Sequence, residues 1–336
     1  MCEVGFKENY AELYPFLEKA VLRDYDKFQN PEILLLKFSE NIICELKTEN
    51  DRAVIRINRP GYHNLEELEN ELLWITEINK KTDVHTATVY TGVDGKILHE
   101  FTSGSGLIYT YSIQAFLSGI PLRKLQGKNR MEQLKQVGRI AAKLHTMEED
   151  NPHIPDKFRR FTWDIPDTLR EGARWGYFLS VNSFAKDDRK LFEAAAEKIE
   201  RRLLKYGRSS KNYGLIHADL HSENILVDGN EMSLIDFDDC GYSWYLYDLA
   251  SAVSQQSEEI GEMVHAYVEG YQEIRMLSEV DRSEIETFVL LRRLVRLGWM
   301  TSHQDNGVLA REGQAYLAVT RDMAEKYIHE KEGRPE

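Results

Sequence analysis

Between residues 213 and 249 the chain collects side chains whose types and spacing suit one reaction. Leu215 and Ile216 lead into His217-Ala218-Asp219, Asn224 follows five positions after Asp219, and Asp236-Phe237-Asp238-Asp239 comes after a further apolar run. Ile225-Leu226-Val227 is apolar, Asp228-Gly229-Asn230 is a turn signal, and Met232 to Ile235 is apolar again. The pattern predicts a hairpin that brings Asn224 and Asp236, near its open ends, back to one place. Phosphoryl transfer from ATP needs a carboxylate to orient the acceptor hydroxyl and take its proton. It also needs hard oxygen ligands to hold Mg²⁺ against the phosphates. Asp219 is the candidate base, and Asn224 and Asp236 are the candidate metal ligands. A polar loop between buried strands would explain a lone His-x-Asp, but not the whole set.

The spacing His217-x-Asp219-x-x-x-x-Asn224 followed by Asp236-Phe237 matches a kinase catalytic loop. With Leu220-His221-Ser222-Glu223 and Ile235-Asp236-Phe237-Asp238-Asp239, it resembles the aminoglycoside phosphotransferase and choline kinase-like superfamily. Ala218 stands where protein kinases usually carry Arg, and Asp238 where they carry Gly. No Ala-Pro-Glu signature follows, which argues against a phosphorylated activation loop. Asp248, within Tyr247-Asp248-Leu249-Ala250, also looks like the superfamily, where that residue supports the loop from a helix start. Within the superfamily the chain looks nearest to homoserine kinase of the second type, hydroxylysine kinase and stress-response kinases.

The elements that must position these residues read as two groups. Residues 8–28 predict a helix with Leu13, Phe16, Leu17, Ala20 and Val21 on one face. Residues 31–58 carry three strand patterns, with a polar turn from Thr48 to Arg52. Ser39, Glu40 and Asn41, between the first two strands, resemble the superfamily's short phosphate-side loop, so Ser39 and Asn41 are expected to bind nucleotide. Arg56 sits where kinases place the strand cation that binds the α- and β-phosphates, and its planar fork suits oxygen pairs. Residues 64–80 predict an amphipathic helix. Glu71 looks like the glutamate that pairs with the strand cation, with Glu67 one turn earlier as a rival. Further strands are expected at 89–91, 96–102 and 107–116. The last should cross to the second lobe, with backbone near Ser112 to Gln114 binding adenine.

From Met131 onward the pattern is helical, with helices expected from there, at 187–206, 251–274, 281–304 and 312–330. Ala142-Lys143-Leu144-His145 resembles an element of the superfamily's second lobe, and His145 reads as structural. Thr162-Trp163-Asp164 and Arg174-Trp175-Gly176 either line a substrate cleft or cap a helix. The run Arg292, Arg293, Arg296 reads as internal ion pairs.

The resemblance implies an α+β, bilobal protein kinase-like fold: a small antiparallel-sheet N-terminal lobe over 1–113 and a larger, mainly helical C-terminal lobe over 114–336. It implies a kinase moving the ATP γ-phosphate to the hydroxyl of a small molecule, such as an amino alcohol or aminoglycoside. The alternatives are a serine/threonine protein kinase of the stress-response type and a non-catalytic nucleotide-binding module. The net charge of −13 argues against nucleic acid as a partner and is compatible with a cationic acceptor. Three scattered cysteines, no signal pattern and no run of about 18 apolar residues point to a reducing cytoplasm and no membrane span. Oligomeric state is not legible.

Overall fold

A computed structural model describes residues 10–38, 41–125, 130–153, 156–180, 186–255, 259–302 and 308–330. In chain order the elements are α1 (Tyr10–Asp24), β1 (Glu32–Phe38), β2 (Ile42–Lys47), β3 (Arg52–Ile57), α2 (Leu65–Lys81), β4 (His85–Thr86), β5 (His99–Thr102), β6 (Ile108–Ala115) and β7 (Ile120–Pro121). Then follow α3 (Arg130–Asp150), α4 (Ile165–Leu169), α5 (Lys186–Tyr206), β8 (Tyr213–Ile216), β9 (Ile225–Asp228), β10 (Glu231–Leu234), β11 (Gly241–Trp244), α6 (Leu246–Val253), α7 (Ile260–Gln272), α8 (Glu279–Ser302) and α9 (Val308–His329). The chain divides into two compact units, residues 1–120 with 226–238, and residues 121–225 with 239–336.

The first unit is built on a five-stranded sheet ordered β1-β2-β3-β6-β5, antiparallel at every step. Alternation on β2, β3 and β6 turns Cys44, Leu46, Ala53, Ile55, Ile57, Tyr111 and Ile113 inward. They pack with Leu13, Leu17 and Val21 of α1 in one core. Helix α2 starts on a capping box: Asn64 accepts from the Glu67 N–H, and Glu67 returns the bond to the Asn64 N–H. Trp74 of α2 meets Phe237 edge to face at 5.5 Å.

The expected boundary after residue 113 differs from this division in two places. Strand β6 pairs with β3 as far as Ala115 opposite Ala53, so no cut falls inside it. The β9–β10 hairpin joins a sheet ordered β4-β10-β9-β7, and Ser233 and Leu234 pair in parallel with His85 and Thr86. Residues 226–238 therefore belong with the first unit.

The second unit is mainly helical, with one short antiparallel pair, β8 with β11. Gly241–Trp244 is that partner strand. The single helix expected over 251–274 is two helices, α6 and α7, and Glu259 before α7 has a left-handed φ of 59°. Helices α3 and α7 cross at glycine: a Cβ on Gly270 would lie 1.8 Å from the Lys135 carbonyl oxygen. Gly298 does the same for α8, where a Cβ would lie 2.0 Å from the Gly176 oxygen. That approach seats the turn carrying Trp175 directly on α8, and the Ser302 hydroxyl donates to the Trp175 carbonyl at 2.6 Å. Among the described residues no helix is long and apolar enough to cross a membrane.

Candidate active site

In the second unit, β8 delivers His217-Ala218-Asp219 into a tight loop. Ala218 has φ 64°, in the left-handed region that disfavours a side chain. Asp248, in the first turn of α6, holds this shape: its carboxylate accepts from the Ala218 N–H at 2.7 Å and the His217 N–H at 3.3 Å. His145 Nε2 lies 3.0 Å from the same carboxylate, and its Nδ1 lies 2.9 Å from the Tyr271 hydroxyl. A carboxylate only accepts, so Nε2 carries the proton and Tyr271 donates to Nδ1, which describes a neutral imidazole. Burial pushes the His145 pKa down against the pull of Asp248. His145 is structural, as expected, and Asp248 supports the loop.

Asp219 is gripped from three directions. Arg292 Nη2 of α8 donates to Oδ1 at 2.6 Å. Asn224 Nδ2 donates to Oδ2 at 3.0 Å and to the Asp219 carbonyl at 3.0 Å. His221 Nε2 lies 3.1 Å from Oδ2. Burial works against the charge, but His221 and Arg292 outweigh it and hold the carboxyl below the ordinary carboxylate range. Asn224 spends its nitrogen on Asp219, which leaves its Oδ1 outside these bonds.

Arg292 is one of the basic run read as internal ion pairs, and the carboxylate it pairs with is Asp219. Its guanidinium lies 4.2 Å from the Trp175 ring centroid and 5.5 Å from that of Tyr247. Trp175 Nε1 donates to Asp239 Oδ1 at 3.1 Å, and Trp163 Nε1 to the Asp239 carbonyl at 2.8 Å. Trp163 stacks on Tyr247 at 5.9 Å and meets Trp175 edge to face at 5.1 Å. The aromatic points singled out in the sequence thus gather beside Asp219. Nothing local in the sequence announces Arg292, which stands 73 positions from Asp219.

In the first unit, Arg56 and Glu71 form a buried two-pronged pair, with Nη1 to Oε1 at 2.5 Å and Nη2 to Oε2 at 2.7 Å. Arg56 Nε donates to Asn58 Oδ1 at 2.9 Å, and Nη2 lies 3.7 Å from Asp238 Oδ1. Burial opposes the Arg56 charge, but Glu71, Asp238 and Asp236 overcome it and raise its pKa. Glu67 is occupied at the helix cap, so the glutamate paired with Arg56 is Glu71. Asp236 is exposed, with a left-handed φ of 63°.

Of the other residues expected to meet nucleotide, Asn41 accepts from the Arg59 N–H at 3.2 Å, and Ser39 lies outside the described residues. Ser112 and Gln114 stand opposite Arg56 and Val54 in the ladder. The Asn58 N–H bond to Thr110 and the Phe116 N–H bond to Arg52 fix the alternation, so the backbone of both residues faces β3 and is used there. The opposite edge carries Ile113 and Ala115, bonded to Tyr90 and Thr88.

The profile of the phosphotransferase enzyme family matches residues 39–281. A solved microcompartment-associated aminopropanol kinase is 31% identical, superposes with a TM-score of 0.81, and covers 92% of this chain and 95% of its own. An amicoumacin kinase, solved with AMP-PNP, Ca²⁺ and Ami, has a TM-score of 0.75 at 20% identity, covering 93% of both chains. The amicoumacin kinase of Bacillus subtilis (strain 168) is 22% identical over 88% of this chain and 87% of its own. The folds of these solved relatives are the kinase-like α+β fold expected from the sequence. The chain belongs to the phosphotransferase enzyme family, whose kinase relatives move phosphate from ATP to the hydroxyl of a small molecule.

Proposed function

We propose that this ATP-dependent small-molecule kinase phosphorylates a small, cationic amino alcohol. The observation that carries the reading is the placing of two carboxylates at one aromatic wall, Asp219 bonded to Arg292 and Asp239 bonded to Trp175. Both carboxylates raise the Arg292 pKa, after burial, which lowers it, and the Tyr247 phenol. Carboxylates set beside the faces of Trp163, Trp175 and Tyr247 suit a ligand carrying positive charge. The relative that is 31% identical takes its name from aminopropanol, an acceptor of this class.

Asp219 serves as the base for the acceptor hydroxyl. Asn224 Oδ1 and the exposed Asp236 carboxylate serve as Mg²⁺ ligands, and both are the hard oxygens that ion prefers. Among the described residues no group of three or more His, Cys, Asp or Glu side chains could hold a metal. The ion then draws most of its shell from water and phosphate, which is how Mg²⁺ is usually held. Bound there, Mg²⁺ neutralises phosphate charge. Arg56, fixed by Glu71, turns its remaining donors to the phosphates. The first unit is the nucleotide-binding lobe and the second the acceptor-binding lobe. On this reading adenine meets the backbone at the end of β6, near the Ala115 carbonyl, because Ser112 and Gln114 spend their backbone groups on β3.

The test is ATP consumption across aminopropanol, ethanolamine, choline, homoserine, spectinomycin and amicoumacin, with product phosphate located by NMR. An amino alcohol should give the highest kcat/KM. A preference for homoserine or for either antibiotic would reject the amino alcohol.

A further inference from the structure

Two buried polar atoms beside Asp219 make no well-formed hydrogen bond among the described residues: Arg292 Nη1 and the Tyr247 hydroxyl, whose pKa burial pushes up and the neighbouring Arg292 pulls down. The Arg292 side chain is 3% exposed, and Tyr247 is wholly buried. A buried donor left unmet costs about 1–3 kcal/mol, more when charged, so such atoms are expected to have a partner in some state of the protein. Arg292 also lies past residue 281, where the family match ends.

The lone pairs of Asp219 indicate which partner. A carboxylate offers about four acceptor positions, two on each oxygen. Asn224 and His221 face Oδ2, and Arg292 takes one position on Oδ1. The position left for an acceptor hydroxyl is the second one on Oδ1, adjacent to the guanidinium that carries the unmet Nη1. A hydroxyl donating its proton there presents its oxygen to Arg292.

We propose that Arg292 and Tyr247 form an acceptor anchor, in which Arg292 Nη1 donates to the oxygen that becomes phosphorylated and the Tyr247 hydroxyl accepts from the neighbouring ammonium. The hydroxyl oxygen then has one lone pair held by Arg292 and one directed at phosphorus. In the transfer that second pair forms the new O–P bond, and the bond from the γ-phosphorus to the bridging oxygen breaks with its electrons leaving on ADP. The hydroxyl proton goes to Asp219 Oδ1. Arg292 is in this sense a catalytic residue, while Tyr247 sets which acceptors fit. The inference rests on Asp219 as the base and on an amino alcohol as the acceptor.

Three variants test it with the full chain and the best amino alcohol of the panel, aminopropanol first. Tyr247→Phe deletes an oxygen that makes no well-formed hydrogen bond among the described residues, so its melting temperature should change little. Its kcat/KM for the acceptor should drop roughly 3–10-fold, with the KM for ATP unchanged. Arg292→Lys should lose about 10–100-fold in acceptor kcat/KM, because a charge-assisted bond and its planar geometry go together. Wild-type acceptor kinetics in these two variants, alongside a collapse in Asp219→Asn, would overturn the anchor and leave the base standing. Native turnover in Asp219→Asn would overturn the base, and turnover of no amino alcohol would overturn the acceptor class. Either result takes the anchor with it.

Discussion

Replacing Glu71 by Leu should expose how much the first unit depends on its buried ion pair. The Arg56 side chain is 8% exposed and that of Glu71 is wholly buried, so solvent screens neither. Removing the carboxylate leaves a guanidinium with Asn58 at Nε and Asp238 no nearer than 3.7 Å. Breaking one partner out of such a pair costs about 3–5 kcal/mol, chiefly the uncompensated charge. At roughly 2–4 °C per kcal/mol, the first unit should melt about 6–20 °C lower. Replacing both residues, Arg56→Met with Glu71→Leu, removes the stranded charge and should recover much of that loss. Calorimetry measures the melting, and hydrogen exchange of β3 and α2 amides places the change in this unit. If Glu71→Leu melts within 2 °C of wild type (under about 1 kcal/mol), or the double variant is worse than the single, stranded charge is not what holds this pair.

Arg56→Ala should raise the KM for ATP and lower turnover while acceptor KM stays put, and Arg56→Lys should recover part of the loss; steady-state kinetics in both substrates decides it. Asp236→Ala should weaken Mg²⁺-dependent nucleotide binding more than Asn224→Ala, since it removes a full charge; a Mg²⁺ titration of ATP affinity checks the order. The His145 pKa is lowered in the folded state, so the unfolded chain binds its proton first as pH falls. This share of stability is complete above the unfolded value of about 6.5 and is lost as pH falls from there through the lowered folded value. His145→Gln should flatten that part of a pH series of urea unfolding curves. Ala218→Gly relieves a left-handed backbone and should stabilise by about 1 kcal/mol or less, once the freer unfolded chain is counted. A higher urea midpoint at unchanged slope is the expected result.

Local signals made much of this molecule legible. Alternation marked β2 and β3, helical spacing marked α2, α3, α5, α8 and α9, and motif spacing picked out Asp219, Asn224 and Asp236. The choice between Glu67 and Glu71 was left open because both lie on one helix face a turn apart. It was settled by the capping box, which spends Glu67 on the Asn64 N–H. Where the reading failed, the cause was long-range pairing. Residues 226–238 sit inside the motif yet belong to the first unit, because β10 pairs with β4, about 150 positions upstream (Ser233 with His85). Strand β11, for which the sequence predicts no strand, pairs with β8 across the whole hairpin. Arg292 was seen only as one of three arginines on a helix. Its neighbour Arg293 bonds Thr320, Ser254 and Tyr316, so identical residue types one position apart serve the core and the site.

The same donor counting explains why residue 56 is Arg rather than Lys. A guanidinium has five N–H groups and an ammonium three. At Arg56, two go to the separate oxygens of Glu71 and one to Asn58, which is itself tied to Thr110 Oγ1 at 3.1 Å. Two donors remain, and Nη2 is the one facing Asp238 at 3.7 Å. A lysine meeting Glu71 and Asn58 in the same way would have none left for a phosphate. The planar fork lets one side chain be locked by its own unit and still present charge to a nucleotide. Asp238, where protein kinases carry Gly, adds a second carboxylate near that fork, and Asp236 adds a third charge to its field. Burial opposes the guanidinium's charge, and the three carboxylates keep it charged. The proposed divalent cation on the exposed Asp236 would sit in the field of this fork, which is why the Mg²⁺ titration of Asp236→Ala is the sharper of the two metal tests.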